Sequence, residues 1–511
     1  MIKTRIILIY CLLLLMGCKS PYQQIDRPNI ILFLVDDMGW QDTSVPFHSE
    51  RTLFNDMYHT PSMERLADEG MIFTQAYACT VCSPSRISLM TGLNTARHRV
   101  TNWTLRKDTS TDRSHEILEL PEWNVNGMSP VPGIERTVYA TPLPKILQDA
   151  GYFTIHCGKA HFGAMGTLAA NPLNVGFDIN IAGHAAGGPG SYYGKDNFGN
   201  EFGKHTPPWG IPGLEKYHGQ DIYLNEALTL EAINALDSAI NTGKPFFLYM
   251  SHYAIHAPIM EDPRFYGKYL NDTLPVVESK YASMIESMDK SLGDIMKYLD
   301  ERNLADNTII LFMSDNGGLS AVARGGTPHI HNKPLNSGKG SAYEGGIREP
   351  MIVKWQGVVK SGSVCEKYLI IEDFFPTILE MAGIADYETV QNTDGISFVP
   401  LLSQTGSKSP ERDLFWHFPN NWGPSGPGIG TTSTIRSGEW KLIYWYKDQH
   451  FELFNIKEDI GELNNLALEN DEKVRELAGK LGEFLRNANA QRPSYKENNN
   501  PAPWPDEALN E

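Results

Sequence analysis

Apolar runs of strand length recur along the chain, and each breaks off into a polar cluster. Asn29-Ile30-Ile31-Leu32-Phe33-Leu34-Val35 stops at Asp36-Asp37, and Gly151-Tyr152-Phe153-Thr154-Ile155-His156-Cys157 leads into Gly158-Lys159-Ala160-His161. Pro245-Phe246-Phe247-Leu248-Tyr249-Met250 leads through Ser251 and His252 to His256-Ala257-Pro258, and Thr308-Ile309-Ile310-Leu311-Phe312-Met313 leads to Ser314-Asp315-Asn316-Gly317-Gly318. Continuous apolar runs rich in β formers, without alternation, predict strands buried on both faces, as in a parallel sheet. Open α/β sheets bind ligands beyond the carboxyl ends of their strands, so the four polar clusters are expected to share one crevice.

Apolar positions at helical spacing over Tyr281 to Leu299, including Met284, Ile285, Met288, Leu292 and Ile295, predict a core-facing helix, and Ile371 to Ala382 predicts another. Asp, Gly, Ser, Thr and Pro cluster between Gly383 and Pro410, which predicts a boundary. Beyond it, Ser433 to Arg436, Trp440 to Tyr446 and Phe451 to Phe454 read as strands joined by short turns, and Asp471 to Asn487 as a helix. The expected organisation is an α/β domain over 26–395, a small antiparallel sheet plus helix over 396–490, and a poorly ordered tail over 491–511. Thr101 to Arg136 and Ile181 to Tyr217 exceed ordinary connection lengths without periodicity and are expected to be binding loops at the crevice rim.

The stretch Thr80-Val81-Cys82-Ser83-Pro84-Ser85-Arg86-Ile87-Ser88-Leu89-Met90-Thr91-Gly92 carries the densest chemistry. Ser83 suits an N-cap, Pro84 the first helical position and Gly92 the stop, so Cys82 is expected at a positive helix end with Arg86 one turn above it. Cys79-x-x-Cys82 also has redox or half-zinc-site spacing, but no second Cys pair or His pair completes a zinc site.

Cys-x-Pro-x-Arg followed by Thr-Gly resembles the signature of the formylglycine-dependent (type I) sulfatases of the alkaline phosphatase-like superfamily. The resemblance implies an α/β/α sandwich with a large, mostly parallel sheet, running from about Asn29 to Ala382, and a small C-terminal sheet. It implies that Cys82 is oxidised to formylglycine by a formylglycine-generating or anaerobic sulfatase-maturing enzyme. One hydroxyl of its hydrate attacks sulfur, and loss of a proton from the other expels sulfate. Asp36, Asp37, Asp315 and Asn316 form an all-oxygen set suited to a hard cation, calcium before magnesium. In the family these positions hold a calcium ion that also touches residue 82. Lys159 and Lys339, the latter within Ser337-Gly338-Lys339-Gly340-Ser341-Ala342-Tyr343-Glu344-Gly345-Gly346, are implied to hold the sulfate oxygens. His256 or Lys339 is implied to protonate the leaving oxygen, with His161 and Arg86 orienting the nucleophile. His184, after Gly176-Phe177-Asp178, and His417, in the aromatic stretch Phe415 to Trp422, are further candidates for substrate contact.

Composition narrows the partners. Among 511 residues, 41% are hydrophobic and 21% charged, ordinary for a globular protein, and the net charge of −17 argues against nucleic acid. A sulfated substrate therefore needs a local basic pocket. Lys3 and Arg5, the apolar run Ile6 to Leu15 and Leu15-Met16-Gly17-Cys18 read as a leader over 1–17 ending at a lipidated Cys18. The expected location is thus periplasmic or outer-membrane, with membrane contact only through a lipid anchor. The expected function is hydrolysis of a sulfate ester on a carbohydrate; a phosphonate monoester hydrolase or phosphodiesterase using formylglycine, and a catalytically silent glycan-binding lipoprotein, are the alternatives.

Overall fold

The computed structural model describes residues 27–270, 274–320, 324, 327–404 and 412–509. The leader and Cys18 lie outside the described residues. No described helix is long and apolar enough to cross a membrane.

The strands of the large sheet are β1 (Asn29–Val35), β2 (Met71–Tyr77), β3 (Phe153–Gly158), β4 (Ile179–Ile181), β5 (Phe246–Ser251), β6 (Thr308–Ser314), β7 (Arg348–Lys354), β8 (Ser363–Cys365) and β9 (Leu369–Ile370). They lie in the order β8-β2-β7-β6-β1-β5-β3-β4, with β9 also pairing with β2. All of the apolar runs singled out above are parallel neighbours in the centre: β1 pairs with β6 and β5, and β5 with β3. Strand β7 alone runs antiparallel, to both β6 and β2.

Side chains alternate across a strand, and β1 shows what that does here. Ile30, Leu32 and Leu34 join a core with helices Cys82–Thr91 and Phe374–Met381 on one face. Ile31, Phe33 and Val35 join a second core with helices Pro61–Glu69, Leu224–Asn241 and Val276–Glu301 on the other. The result is an α/β/α sandwich. The Met-bearing helix is Val276–Glu301, and Met284, Ile285, Met288 and Leu292 on it are fully buried.

A second sheet, β10 (Asp413–Phe418), β11 (Thr432–Ser437), β12 (Trp440–Trp445) and β13 (Phe451–Asn455), is antiparallel throughout and packs on helix Asp471–Asn487 through Leu442, Tyr444, Leu477 and Leu481. It is tied to the large domain by Trp416 Nε1 donating to the Ala78 carbonyl at 2.8 Å and by buried Lys441, whose Nζ lies 3.0 Å from Glu344 and 2.7 Å from Glu462. The large core itself continues past residue 395 to Phe398 and Leu402.

Two expectations need correction. The tail expected from Gln491 onward is packed: Ser494–Tyr495 pairs with Leu118–Glu119, and Ala502 and Trp504 are buried in the small domain's core. Its polar and proline-rich composition hides two buried apolar anchors, Ala502 and Trp504, which act together with the strand pairing. The helix after Val81 begins at Cys82, before the expected Ser83 cap, because the Ser83 hydroxyl is drawn away to accept from the Thr104 N–H at 3.1 Å. Cys82 therefore lies within the first helical turn, where the N–H groups are free.

Candidate active site

The carboxyl ends of the parallel strands deliver their polar clusters to one place. Asp36 and Asp37 follow β1 and Asp315 follows β6, and carboxylate oxygens of the three lie within 4.8 Å of one another, all buried. Lys159 follows β3 and places Nζ 2.7 Å from Asp36 Oδ2. Lys339, in the loop that enters β7, places Nζ 2.5 Å from Asp37 Oδ1, and Asn316 Nδ2 donates to the same oxygen at 2.8 Å. His256, beyond β5, holds Nε2 3.8 Å from Asp37 Oδ2. Cys82, 3% exposed, borders the same cavity as Asp37, His256 and Lys339.

Arg86 ties these ends together from beneath. Its Nε and Nη2 each lie 2.8 Å from Asp315 Oδ2, while Nη1 donates to the Lys159 carbonyl and the Ser251 hydroxyl. One buried guanidinium thus cross-links the termini of β3, β5 and β6 and fixes Asp315 and Lys159. Ser251 was visible in the sequence only as a polar residue just past a strand run.

The electrostatics follow from burying three acids together. Burial pushes Asp36 well above the usual carboxylate range, with Asp315 and Asp37 adding to it against the pull of Lys159 and Arg86. Burial acts on Asp37 too, but Lys339, His256 and Lys159 outweigh it and hold that carboxyl well below its usual value. Burial raises the Cys82 thiol although Lys159 and Lys339 favour the thiolate. The unmodified side chain is therefore a poor nucleophile at neutral pH. Burial lowers His256 to about 3, helped by Lys339, and holds His161 well below the usual imidazole range, helped by Lys159. Lys339 is raised because Asp37 outweighs its burial.

The acidic set suits a cation. Asp36 Oδ1 and Asn316 Oδ1 are buried acceptors with no donor, which costs free energy unless something positive meets them. An all-oxygen site of this kind takes a hard divalent ion.

The remaining candidates divide. His161 Nε2 lies 2.7 Å from the Thr104 carbonyl, and its ring packs where a Cβ on Gly187 would fall, immediately beneath the cavity wall. His184 offers only its backbone carbonyl, which accepts from the His161 N–H at 3.2 Å; its ring turns toward His205 and Tyr253 and does not line the cavity. His417 is a structural residue of the small sheet, with Nδ1 2.8 Å from the Ser433 hydroxyl and Nε2 2.7 Å from the Gln491 carbonyl. Neither ring reaches the cavity in this structure, because each is held by neighbours that a linear reading does not place.

The cavity measures about 500 Å³ and is walled by the long loops. Residues 103–113 supply one side, Gly187 and Trp209 another, and Trp422 with Pro424 a third. The sequence pointed to these loops but not to their individual residues, which follow no period.

A family model described as Sulfatase matches residues 28–384. The chain belongs to the sulfatase family. A second model, described as N-sulphoglucosamine sulphohydrolase, C-terminal, matches residues 338–491 of this sulfatase. A protein described as sulfatase from Formosa agariphila is 28% identical over 509 residues, covering 90% of this chain and 88% of the relative. The N-acetylgalactosamine-6-sulfatase of Homo sapiens is 31% identical over 410 residues, covering 76% and 68% respectively. Among solved structures, Ps i-CgsB in complex with k-i-k-neocarrahexaose superposes with a TM-score of 0.70 at 26% identity, covering 90% of this chain and 93% of that one. As a member of this family the sulfatase is a sulfuric ester hydrolase, and the two matched family models together span its large and small domains.

Proposed function

We propose that this sulfatase hydrolyses a sulfate ester of an extracellular carbohydrate, with residue 82 converted to formylglycine and a calcium ion held by Asp36, Asp37, Asp315 and Asn316. The observation that carries the reading is the convergence of Cys82, Lys339 and His256 on one cavity whose walls include Trp103, Trp209 and Trp422. Indole faces pack well against the apolar faces of sugars. Relatives and structural neighbours include an N-acetylgalactosamine-6-sulfatase and a protein solved with a neocarrahexaose.

The calcium ion would offset the charge of the sulfate and polarise its oxygens, and a formylglycine would supply the hydroxyl pair that the buried thiol lacks. The chain's own groups do the rest. Lys339, which borders the cavity, presents its ammonium group to the anionic group, exchanging part of its present pairing with Asp37 for contact with sulfate oxygens, while the fully buried Lys159 stands behind it, paired with Asp36. The His256 Nδ1–H donates to the Ala257 carbonyl at 2.7 Å, so Nε2 carries the lone pair and accepts. Lys339, kept protonated by Asp37, then supplies the proton to the leaving oxygen. Arg86 does not reach the cavity and acts by holding Asp315 and the Lys159 backbone in place.

Export as a lipoprotein through the leader ending at Cys18 is part of the same proposal; metabolic labelling with a fatty acid analogue, lost in Cys18→Ala, tests it. The catalytic reading is tested by incubating mature protein, with conversion at residue 82 verified by mass spectrometry, with a panel of position-defined sulfated sugars and an aryl phosphodiester. Sulfate release from a sugar is expected. Phosphodiester turnover without sulfate release would overturn the reading, as would tight binding of a sulfated sugar with no release.

A further inference from the structure

Two cations at the mouth of the cavity have no role in the reading above. Arg106 and Arg113 both line it, both are exposed, and no ion pair from either guanidinium is found among the described residues. Exposed arginines usually sample many conformers, but these two stand on anchored backbone. Met165 N–H donates to the Leu105 carbonyl at 2.8 Å beside Arg106, and the Arg113 N–H donates to the Asn421 carbonyl at 3.0 Å. Arg113 lies along Gly423, whose missing Cβ would stand 2.7 Å from Arg113 Cγ, so its stem is seated against that backbone.

Two acids, Asp37 and Asp112, line the same cavity. Asp37 lies at the floor with Lys339. Asp112, between the two arginines in sequence, accepts at Oδ1 from Asn102 and at Oδ2 from Ser110, Trp123 and Asn420. It serves as the pin that joins this loop to the end of β10. Arg106, Arg113 and Lys339 outnumber these two acids along the lining, so the mouth is locally cationic on a protein of net charge −17, and an anion is drawn to it against the global field.

We propose that Arg106 and Arg113 bind a second fixed anion of the substrate, so that the preferred substrate is a saccharide carrying another sulfate ester or a carboxylate besides the sulfate that is cleaved. This rests on the sulfatase reading and names the charge pattern that the site selects. Guanidinium forks bind both kinds of oxyanion in the same planar geometry, so the shared chemistry is a sugar-borne oxyanion near the scissile group.

The test compares kcat/KM for three saccharides of equal length: one sulfate only, one with a second sulfate, and one with a uronate carboxylate. Wild-type enzyme is expected to favour one or both dianionic substrates, and whichever it favours identifies the anion. In Arg113→Ala and in Arg106→Ala that preference ratio is expected to fall about tenfold, chiefly through KM, as expected for loss of a charged hydrogen bond. Arg113→Lys should restore part of it. Because the readout is a ratio between substrates, partial loss of folded enzyme cancels. Equal kcat/KM for all three substrates in wild type, or an unchanged ratio in both alanine variants, overturns the inference while leaving sulfate hydrolysis standing. Failure of wild type to release sulfate from any of them overturns the proposed function itself.

Discussion

The residue on which the proposed chemistry turns is buried, at 3% exposure. Cys82→Ala removes the atom from which the nucleophile is proposed to be made, so sulfate release should fall to background. The fold should survive, since the position sits at a helix start and the change removes a single sulfur; circular dichroism and sulfate release on the same sample check both halves. Asp36 and Asp37 make opposite contributions to stability. Asp37, held below its usual value, contributes stability above about pH 4 that is lost as pH falls toward its folded value. Asp36 is raised, so its folded form holds a proton that the unfolded chain gives up near pH 4, and chelated protein should lose stability as pH rises from there. A cation held at these oxygens, as proposed, would cancel that loss. Thermal denaturation with calcium and with chelator should diverge as pH rises from about 4 to 8, and superimposable curves would speak against a cation at these oxygens. The acids were legible in the sequence because each directly follows a strand, which fixes its position. His184 and His417 were not distinguishable from substrate contacts, because only the fold reveals that one ring faces His205 and that the other has both nitrogens bonded.

At the scale of elements, strand ends act as mounts whose spacing is set by backbone contact. Gly158 closes β3 with φ +101°, and a Cβ there would stand 1.8 Å from the Ser251 carbonyl oxygen. No side-chain rotation relieves contact with a backbone atom, so Gly158→Ala must push β3 and β5 apart just where Lys159 and Ser251 meet Arg86. It should cost at least 3 kcal/mol, on the order of other severe core and backbone mutations, and should abolish sulfate release even where protein stays folded. Denaturant melts and activity of the soluble fraction measure the two effects. The strands were readable because a run buried on both faces has few other structures open to it. The loops at 101–136 and 181–217 were readable only as loops, since indoles such as Trp103 and Trp209 obey no period and are placed by irregular turns, as where the Trp209 carbonyl accepts from the Gly190 N–H at 2.7 Å.

For the whole molecule, the last residues matter more than their composition suggests. Gln491 Nε2 donates to the Thr101 hydroxyl at 3.0 Å, Ser494–Tyr495 pairs with Leu118–Glu119, and Lys496 Nζ donates to the His115 carbonyl at 2.7 Å. These contacts brace the loop that carries Trp103 and Arg113, while Trp504 plugs the core of the small domain. Deleting residues 491–511 should therefore destabilise the protein by roughly 3–5 kcal/mol, the scale of losing a buried tryptophan. It should also raise KM for a sulfated sugar, because one wall of the cavity loses its support; calorimetry and steady-state kinetics on the truncated chain test this. A composition dominated by Asn, Pro and acids gave no hint of it, since two well-placed apolar residues contribute little to a segment average.

The lone reversed strand, β7, has a geometric corollary. Each parallel strand reaches the crevice as it ends, so the chain can hand over a ligand there only while leaving the sheet. Strand β7 reaches it at its start, which lets the loop bearing Lys339 arrive from outside and drop a cation onto Asp37. With β7 in the common direction, that loop would open at the far edge, roughly 20 Å away for a strand of this length. A circularly permuted chain with new termini in the loop after β7 would keep this arrival intact, whereas termini cut into 337–341 would sever it.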